Sequence, residues 1–496
     1  MNTTPTLEDS GDTALLDPVA AQSEIDRAWD NDLVRQLSDY IEIPAKSPSF
    51  DSDWAAHGHI ETVLRRAAAW VEAQRIEGLK LEVIRIDGRT PVLFFEVPKR
   101  GAAGDSTVLM YGHLDKQPEF NGWRSDLGPW TPKYENGKLY GRGGADDGYA
   151  VYAAITAIDE LQRQNVAHPR IVGLIETCEE SGSYDLLPYV DALRAPGADR
   201  LGDVALVVCL DSGAGNYDQL WLTTSLRGMA SGTLKVEVLT EGVHSGDASG
   251  LVPSSFRIMR QVLDRLEDSA TGRLLPANFH CEVPPERLAQ AKQTAAILGD
   301  EIYKRFPWAS YDCGGSQQTV LPTTTDPVQA LLNRTWMPTL SVTGAQGLPA
   351  LGDAGNVLRP YTAFKLSLRL PPLIEADVAV QQLKALLEDN APYQAKVTFE
   401  CNGGSNGWNA PASASWFDAA LNEASQAFYG APSATIGQGG TIPLMNLLQR
   451  GFPQAQMMVV GVLGPRSNAH GPNEFLHVPY AKRLTAAVAH VISRMP

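Results

Sequence analysis

The chain has 496 residues, enough for two or three domains, and 44% of them are hydrophobic and 20% charged, as in folded globular proteins. Its formal net charge is −16, which argues against nucleic-acid binding because a phosphate backbone requires basic surface. It contains no apolar run of about 18 residues, so we expect no membrane span and no membrane partner.

The first half of the chain predicts alternating helices and strands. We expect residues 1–20 to form a mobile tail, followed by helices near 23–40 and 60–76 whose apolar residues recur at helical spacing. LKLEVIRI and PVLFFEV, separated by Asp87-Gly88, are typical of a strand pair. Further strands and helices then alternate, which predicts an α/β domain with a mixed, largely parallel sheet: strands at VLMYG, RIVGLIET and VALVVCL, and helices near 150–162 and 184–193.

From about residue 222 the pattern changes. Strand-like runs, LRGMASGTLKVEVL and AFKLSLRL, alternate with predicted helices at 254–266 and 376–389, which indicates an inserted α+β, ferredoxin-like lid domain. The less regular segment 268–345 holds one long predicted helix near 285–306. After residue 413 the α/β pattern resumes with a helix, the strand MMVVGV and a last helix at 480–495. We therefore predict a catalytic domain at 1–221 and 399–496, interrupted by the inserted domain at 222–398.

The stretch LYGRGGADDGYA (139–150) bends through three glycines and enters a helix with two adjacent carboxylates. A glycine turn at a helix start often cradles phosphate. This turn lacks the third spaced glycine of a dinucleotide loop and has no Gly-Lys-Ser/Thr. Asp146 and Asp147 would repel phosphate and attract a cation. The stretch therefore predicts a metal ligand at Asp146.

Ligand-type residues also follow the predicted strands. In YGHLD, His113 and Asp115 are two residues apart, so both can point the same way and Asp115 can orient His113 toward a metal. In ETCEESGS, Glu179 and Glu180 repel each other unless a cation or proton intervenes, and one can bind metal while the other faces bound water. Ligands in parallel sheets bind beyond the carboxyl ends of the strands, which favours a shared site.

Asp211 in CLDSG and His470 in NAHGPNE are weaker candidates when taken alone. A strand-end aspartate is more often a turn former, and a single loop histidine is more often structural. The chain has no HExxH motif, which removes the helical zinc-protease arrangement. GGSNG (403–407) matches GxSxG formally but is followed by Trp-Asn-Ala-Pro and not by a helix, so a serine nucleophile is disfavoured.

Eight motifs together resemble a known family over roughly residues 25–490. YGHLD, LYGRGGADDG, ETCEESGS, CLDSG, LRGM, GVHSG, GQGGTIP and NAHGPNE occur in the order typical of the di-zinc metallopeptidase family of carnosinase, aminoacylase, succinyl-diaminopimelate desuccinylase and glutamate carboxypeptidase. The chain most resembles the carnosinase-like cytosolic dipeptidases. The resemblance departs at Gly148, where the family often has lysine, and in the segment 268–345.

The resemblance implies two divalent metal ions per subunit, zinc by default, with manganese or cobalt also compatible. Asp146 would bridge the ions, Asp115 would orient a ligand histidine, and Glu179 would be the general base. The other implied ligands are His113 and Asp211 for one ion, and Glu180 and His470 for the other. The family often has a cis peptide bond at the position of Asp146-Asp147.

The resemblance also implies roles in the inserted domain. His244 would reach the active site of the partner subunit in a homodimer and polarise the scissile carbonyl. Arg369 and Thr441 would hold the carboxylate end of the substrate, and Asn356 would be a lid contact.

The predicted function is hydrolysis of the peptide bond of a dipeptide or short peptide by a metal-activated water. Asp211 favours this function, because the family's peptidases more often have aspartate there than its deacylases do. An N-acyl-amino-acid amidohydrolase is the first alternative, and a non-catalytic metal-binding protein on the same fold is a remote one. Five scattered cysteines without a CxxC motif, and a polar, acidic start without a signal-peptide pattern, favour a cytoplasmic location.

Overall fold

The structure is a computed structural model that describes residues 14–197 and 199–496 and, at Pro443, the backbone only. The first thirteen residues of the predicted tail lie outside the described residues. The chain divides into two compact units. The first contains the chain up to Thr223 together with Pro411–Thr435 and Leu447–Pro496, and the second contains Thr224–Ala410 and Ile436–Asn446. We predict 399–410 and 436–446 as part of the catalytic domain, but both segments group with the second unit.

The first stretch of the chain alternates helices and strands as the apolar spacing predicts. Its first helix begins where Asp17 accepts the N–H groups of Val19 and Ala20. The helices are α1 (Pro18–Ala28), α2 (Val34–Ile41), α3 (Trp54–His57), α4 (His59–Ala73), α5 (Tyr149–Arg163) and α6 (Leu186–Leu193). The strands are β1 (Lys80–Ile84), β2 (Val92–Val97), β3 (Thr107–His113), β4 (Lys133–Glu135), β5 (Lys138–Tyr140), β6 (Arg170–Glu176), β7 (Val204–Cys209) and β8 (Trp221–Leu226).

The middle stretch is richer in strands. Its strands are β9 (Gly228–Glu237), β10 (Val243–His244), β11 (Ser310–Cys313), β12 (Ser316–Thr319), β13 (Thr339–Gln346), β14 (Val357–Leu358), β15 (Tyr361–Leu370), β16 (Lys396–Ser405) and β17 (Trp408–Asn409). Its helices are α7 (Ser245–Ala248), α8 (Ser255–Leu263), α9 (Pro285–Leu298), α10 (Glu301–Lys304), α11 (Pro327–Thr335) and α12 (Ala376–Glu388). The final stretch holds α13 (Ser415–Tyr429), β18 (Ala434–Gln438), α14 (Pro443–Gly451), β19 (Gln456–Val459), β20 (Phe475–His477) and α15 (Val478–Ser493).

The first unit is built on a six-stranded mixed sheet in the order β1-β2-β6-β3-β7-β19. The four strands β6, β3, β7 and β19 run parallel to one another, whereas β2 pairs antiparallel with both β6 and β1. The predicted largely parallel sheet is therefore confirmed. Every residue of β3 is buried, which explains its continuous apolar run. The parallel arrangement brings the carboxyl ends of β3, β6 and β7 to one edge of the sheet.

The second unit contains a four-stranded antiparallel sheet in the order β13-β15-β9-β16. Along the chain these strands occur as strand–helix–strand–strand–helix–strand, with α8 and α12 as the main helices, which is a ferredoxin-like connection. β9 alternates buried and half-buried residues, and its inward side packs with both helices in one apolar core. The role of this unit as a lid stays a prediction.

Two expectations for the segment 268–345 are wrong. The helix predicted near 285–306 ends at Leu298, because Gly299 adopts a positive φ of 55° and separates α9 from α10. The segment is also more regular than expected, since it contains α11, the β11–β12 hairpin and the edge strand β13. β13 has several exposed residues and lacks the apolar alternation of β9. No helix within the described residues is long and apolar enough to cross a membrane.

Candidate metal centre

The glycine turn before α5 places two buried aspartates at the start of that helix. Gly143 adopts a φ of 84°, and a Cβ there would lie 2.8 Å from the Cγ of Lys116, so only glycine fits. Asp146 and Asp147 have non-helical backbone angles, and the peptide bond between them is cis. Both side chains are buried, and Oδ2 of Asp147 accepts the backbone N–H of His113 at 3.3 Å. The turn therefore sets Asp146 beside the end of β3.

A first group of ligand atoms forms where β3 and β7 end. His113 closes β3 and Asp211 follows β7 by two residues. The Nε2 of His113 lies 3.4 Å from Oδ1 of Asp146 and 3.9 Å from Oδ2 of Asp211. One ligand atom from each of the three side chains lies within 4.8 Å of the others, a spacing that can hold a metal ion.

A second group shares the same aspartate. The Nε2 of His470 lies 2.9 Å from Oδ2 of Asp146 and 3.4 Å from Oε2 of Glu180. Gln117 donates a hydrogen bond to that Glu180 oxygen at 2.6 Å. Because Oδ1 of Asp146 faces His113 and Oδ2 faces His470, one carboxylate lies between two potential cation sites. All five predicted ligand positions meet in these two groups.

The residues of both groups fit divalent cations. Nε2 of His113 and Oε1 of Glu180 are buried without a hydrogen-bond partner, which is costly for a polar atom unless another group binds it. Burial raises the pKa of Glu180 to about 7 and raises the pKa of Asp211 well above its ordinary value. Two cations would stabilise the charged carboxylates. Histidine nitrogens and carboxylate oxygens together suit zinc, manganese or cobalt.

Asp115 supports both groups without belonging to either. Its side chain is fully buried, and its two oxygens accept the backbone N–H groups of Glu179 at 3.1 Å and Glu180 at 3.0 Å. Nδ1 of His113 lies 3.4 Å from an Asp115 side-chain oxygen and 3.1 Å from its carbonyl oxygen. Such contacts fix the ring orientation of a ligand histidine.

Glu179 stands beside the two groups and is not one of their ligands. It begins a short turn after β6, and within the described residues its carboxylate makes no hydrogen bond. Burial raises its pKa well above the ordinary value, and the neighbouring carboxylate of Glu180 adds to that shift. A carboxyl group with a raised pKa is a stronger base than an ordinary carboxylate, which suits it to accept and return a proton.

Sequence reasoning missed a buried ion pair that holds the His470 loop. Arg142, 1% exposed, forms an ion pair with Glu474, and the other Glu474 oxygen accepts the N–H of Gly143 at 2.9 Å. Arg142 also donates to the carbonyl oxygens of His470 at 3.2 Å and Gly471 at 2.9 Å. Both residues lie inside motifs quoted above, LYGRGG and NAHGPNE, so the signal was present. The pair ties the loop of one ligand to the glycine turn of another.

The departure at Gly148 also has a physical reason. A Cβ at Gly148 would overlap the ring of Tyr40 and would lie 2.8 Å from the carbonyl oxygen of Gly143. The hydroxyl of Tyr40 donates to the carbonyl of Leu114 at 3.0 Å. The space beside the aspartates is therefore filled by an aromatic ring from α2, which leaves no room for a longer side chain.

The four predicted substrate contacts lie in the second unit and form two pairs. His244 on β10 faces Val357 on β14, and the carbonyl of Asn356 accepts the N–H of Ser245 at 2.9 Å. Nη1 of Arg369 lies 3.3 Å from Oγ1 of Thr441. His244 and Asn356 are exposed, and Arg369 and Thr441 are half-buried.

Comparison with known proteins gives one matching family. The model of "Peptidase family M20/M25/M40" matches residues 109–494, a span that contains every residue of both ligand groups. The chain is 29% identical over 435 residues to a cysteinylglycine-S-conjugate dipeptidase from Corynebacterium striatum, covering 84% of this chain and 88% of the relative. It is 27% identical over 368 residues to the Beta-Ala-His dipeptidase from Homo sapiens, covering 72% and 68%.

Two solved structures share the fold over nearly the full length. The di-peptidase Dug1p from Saccharomyces cerevisiae superposes with a TM-score of 0.76 at 20% identity, covering 97% of this chain and 99% of that one. Human carnosine dipeptidase 1 gives a TM-score of 0.75 at 21% identity with the same coverage. At these identities the likeness is evidence of fold alone.

Proposed function

The chain belongs to peptidase family M20/M25/M40, and from that membership we propose that it is a metallodipeptidase that hydrolyses the peptide bond of dipeptides. The observation that carries the proposal is the Asp146 carboxylate, whose two oxygens face His113 and His470 in two separate ligand groups. Relatives with similar sequences are named dipeptidases, including Cys-Gly and Beta-Ala-His dipeptidases. We propose zinc as the metal, with His113, Asp146 and Asp211 holding one ion and Asp146, Glu180 and His470 the other.

Two divalent cations held by these residues would lower the pKa of a water molecule and polarise the scissile carbonyl. The chain's own residues move the proton. Glu179 accepts it from the attacking water and returns it to the nitrogen of the leaving amino acid, so the carboxylate is regenerated. Asp115 fixes the backbone of Glu179 through the hydrogen bond to its N–H, which keeps the base in place.

The second unit supplies the proposed substrate contacts. Arg369 and Thr441 bind the free α-carboxylate of the substrate, because a guanidinium matches a carboxylate with two parallel hydrogen bonds. His244 donates a hydrogen bond to the developing oxyanion in the site of the partner subunit, which makes the active form a homodimer. Asn356, next to the β10–β14 ladder, contributes a further contact. We place the protein in the cytoplasm, in keeping with five cysteines that form no disulfide.

A substrate panel tests the proposal. The metal-free protein is reconstituted separately with zinc, manganese and cobalt, then assayed on dipeptides, N-acetyl amino acids and N-succinyl amino acids. We expect hydrolysis of dipeptides that depends on added metal. Activity confined to the acylated amino acids would instead establish an N-acyl-amino-acid amidohydrolase. Failure to bind any of the three metals would leave no basis for catalysis by this site.

A further inference from the structure

The second unit contains three arginines without an acidic partner. Arg227, Arg334 and Arg369 form no ion pair with any Asp or Glu in the described part of the chain. Arg227 is 8% exposed, and the Nε of Arg334 is buried. Burying a guanidinium without a counter-charge is unfavourable, so this cluster points to an anion that comes from outside the chain.

One loop connects the three arginines. Thr441, in that loop, accepts from Nη1 of Arg369 at 3.3 Å and donates to the carbonyl of Arg227 at 2.5 Å. Two residues earlier, a Cβ at Gly439 would lie 3.1 Å from Nη2 of Arg227 and 3.6 Å from Cγ of Arg334. Arg227 and Arg334 therefore flank Gly439, while Arg369 contacts the same loop at Thr441.

The two arginines beside Gly439 differ in their acceptors. Arg227 donates to the carbonyl of Met337 at 3.3 Å and to Oγ1 of Thr339 at 2.9 Å, so neutral oxygens satisfy it. Arg334 has no such partner: its buried Nε makes no hydrogen bond, and its other nitrogens make none with the described residues. Burial lowers the pKa of Arg334 to about 9, with Arg305 and Arg227 adding to the shift. A bound anion would remove this penalty.

We propose that Arg334 binds the side-chain carboxylate of the substrate's C-terminal residue, so that the preferred dipeptides end in aspartate or glutamate. This inference rests on the proposed function, in which Arg369 and Thr441 take the α-carboxylate. An acidic C-terminal residue carries a second carboxylate a few ångströms from the first. Arg334 and Arg369 contact the same loop at Gly439 and Thr441, two residues apart. A guanidinium fork binds such a group bidentately.

The specificity test compares isosteric substrates. The ratio of kcat/KM for Ala-Asp over Ala-Asn, and for Ala-Glu over Ala-Gln, is measured for the wild type, Arg334→Gln and Arg334→Lys. We expect a wild-type ratio of at least about tenfold, from a charge-assisted hydrogen bond. Arg334→Gln should bring the ratio close to one, and Arg334→Lys should restore part of it. Arg287→Gln removes another buried arginine of the second unit, one bound to Asn409 and Ala410, and should keep the wild-type ratio.

A binding measurement separates this inference from the proposed function. Calorimetry compares L-aspartate, L-asparagine and inorganic phosphate on the wild type and Arg334→Gln. Tighter binding of aspartate than asparagine, lost in Arg334→Gln, supports the inference even for a protein that hydrolyses no dipeptide. An unchanged aspartate preference in Arg334→Gln overturns it. Phosphate binding that depends on Arg334, without any preference for aspartate, also overturns it and assigns the cluster to a free anion.

Discussion

The carboxylate of Asp115 accepts the backbone N–H of Glu180 at 3.0 Å, and its second oxygen accepts that of Glu179 at 3.1 Å. Through this contact one buried side chain holds the proposed base and a proposed ligand in fixed relation. The same carboxylate lies 3.4 Å from the ring of His113, a proposed ligand in the other group. Asp115 thus contacts a residue of each candidate ligand group without belonging to either group.

Asp115→Asn should therefore weaken metal binding. The amide keeps the size of the side chain but presents only one oxygen, so one backbone N–H loses its acceptor and the histidine loses a charged neighbour. We expect metal affinity to fall by about 10- to 100-fold, as for other residues that orient ligands. Competition titration with a chromophoric chelator measures this change.

Glu176→Gln is the matched control for Asp115→Asn. Glu176 is also a buried carboxyl group at this edge of the sheet, but its side chain contacts Tyr111 and Ser183. It should retain wild-type metal affinity. Equal losses in the two variants would show that Asp115 has no special role.

Glu179→Gln should separate metal binding from chemistry. The substitution removes the proton acceptor but leaves the five ligands and the backbone N–H bound by Asp115. We expect two metal ions per subunit by elemental analysis and a fall in kcat of about 10²- to 10⁴-fold, the usual contribution of a general base. Substantial turnover by the metal-loaded variant would show that another group takes the proton.

The sequence predicts Asp146, His113 and the Glu179–Glu180 pair as a site because each follows a recognisable strand or turn, whereas Asp211 and His470 are implied as ligands only by the family resemblance. The parallel order of β3, β6 and β7 then brings His113, Glu180 and Asp211 to one edge. The motifs contain both Arg142 and Glu474, but their pairing has no local signature, since the two residues are 332 apart in the chain and meet only after folding. The edge strand β13 lacks buried alternation, and its position beside β15 depends on long-range pairing. Arg334 lies in a segment without recognisable motifs, so its role depends on its neighbours in space.

Metal-free protein should lose stability as pH rises from about 5 to 8. Burial raises the pKa of Glu180 to about 7 and those of Asp211 and Glu179 above their ordinary values. These acids bind protons more tightly in the folded protein than in the unfolded chain. Their contribution to the free energy of unfolding is therefore complete below about pH 4.5 and is lost as pH rises through the folded pKa. The pKa of His470 is raised to about 10, opposed by burial but favoured by Glu180 and Asp146, and its contribution also falls with rising pH.

Bound cations should reverse this trend, because they stabilise the ionised carboxylates. The gain in melting temperature on adding manganese to chelator-treated protein should be larger at pH 8 than at pH 5. Asp211→Asn removes one of the acids and should flatten the metal-free profile. A metal-free melting temperature that increases steadily from pH 5 to 8 would contradict the assignment of these groups.

Arg142→Met should destabilise the fold and weaken one metal position more than the other. It leaves Glu474 buried without a partner, a change that typically costs about 3–5 kcal/mol of unfolding free energy. It also removes the donor to the carbonyl oxygens of His470 and Gly471, in a loop where His470 has a φ of 64°. Calorimetric titration with metal should show a larger loss of affinity at the Glu180–His470 position than at the His113–Asp211 position.

The double variant Arg142→Met with Glu474→Gln distinguishes positioning from stability. Removing both charges should recover much of the unfolding free energy measured by urea denaturation, because no lone buried charge remains. Affinity at the Glu180–His470 position should stay low, since the loop carbonyls still lack their donor. Recovery of both properties together would show that the pair only stabilises the fold.

Complementation between two inactive variants tests whether His244 serves the partner subunit. Glu179→Gln keeps its histidine but lacks the base, and His244→Ala keeps the base but lacks the proposed oxyanion donor. If the histidine crosses between subunits, each mixed dimer contains one complete site. A one-to-one mixture after subunit exchange should then regain about a quarter of the wild-type specific activity, because half of the dimers are mixed and each has one of two sites intact.

His280→Ala, which removes a half-buried histidine of the same unit, is the control and should be active without mixing. Activity no greater than the sum of the separate variants would show that His244 acts within its own subunit or not at all.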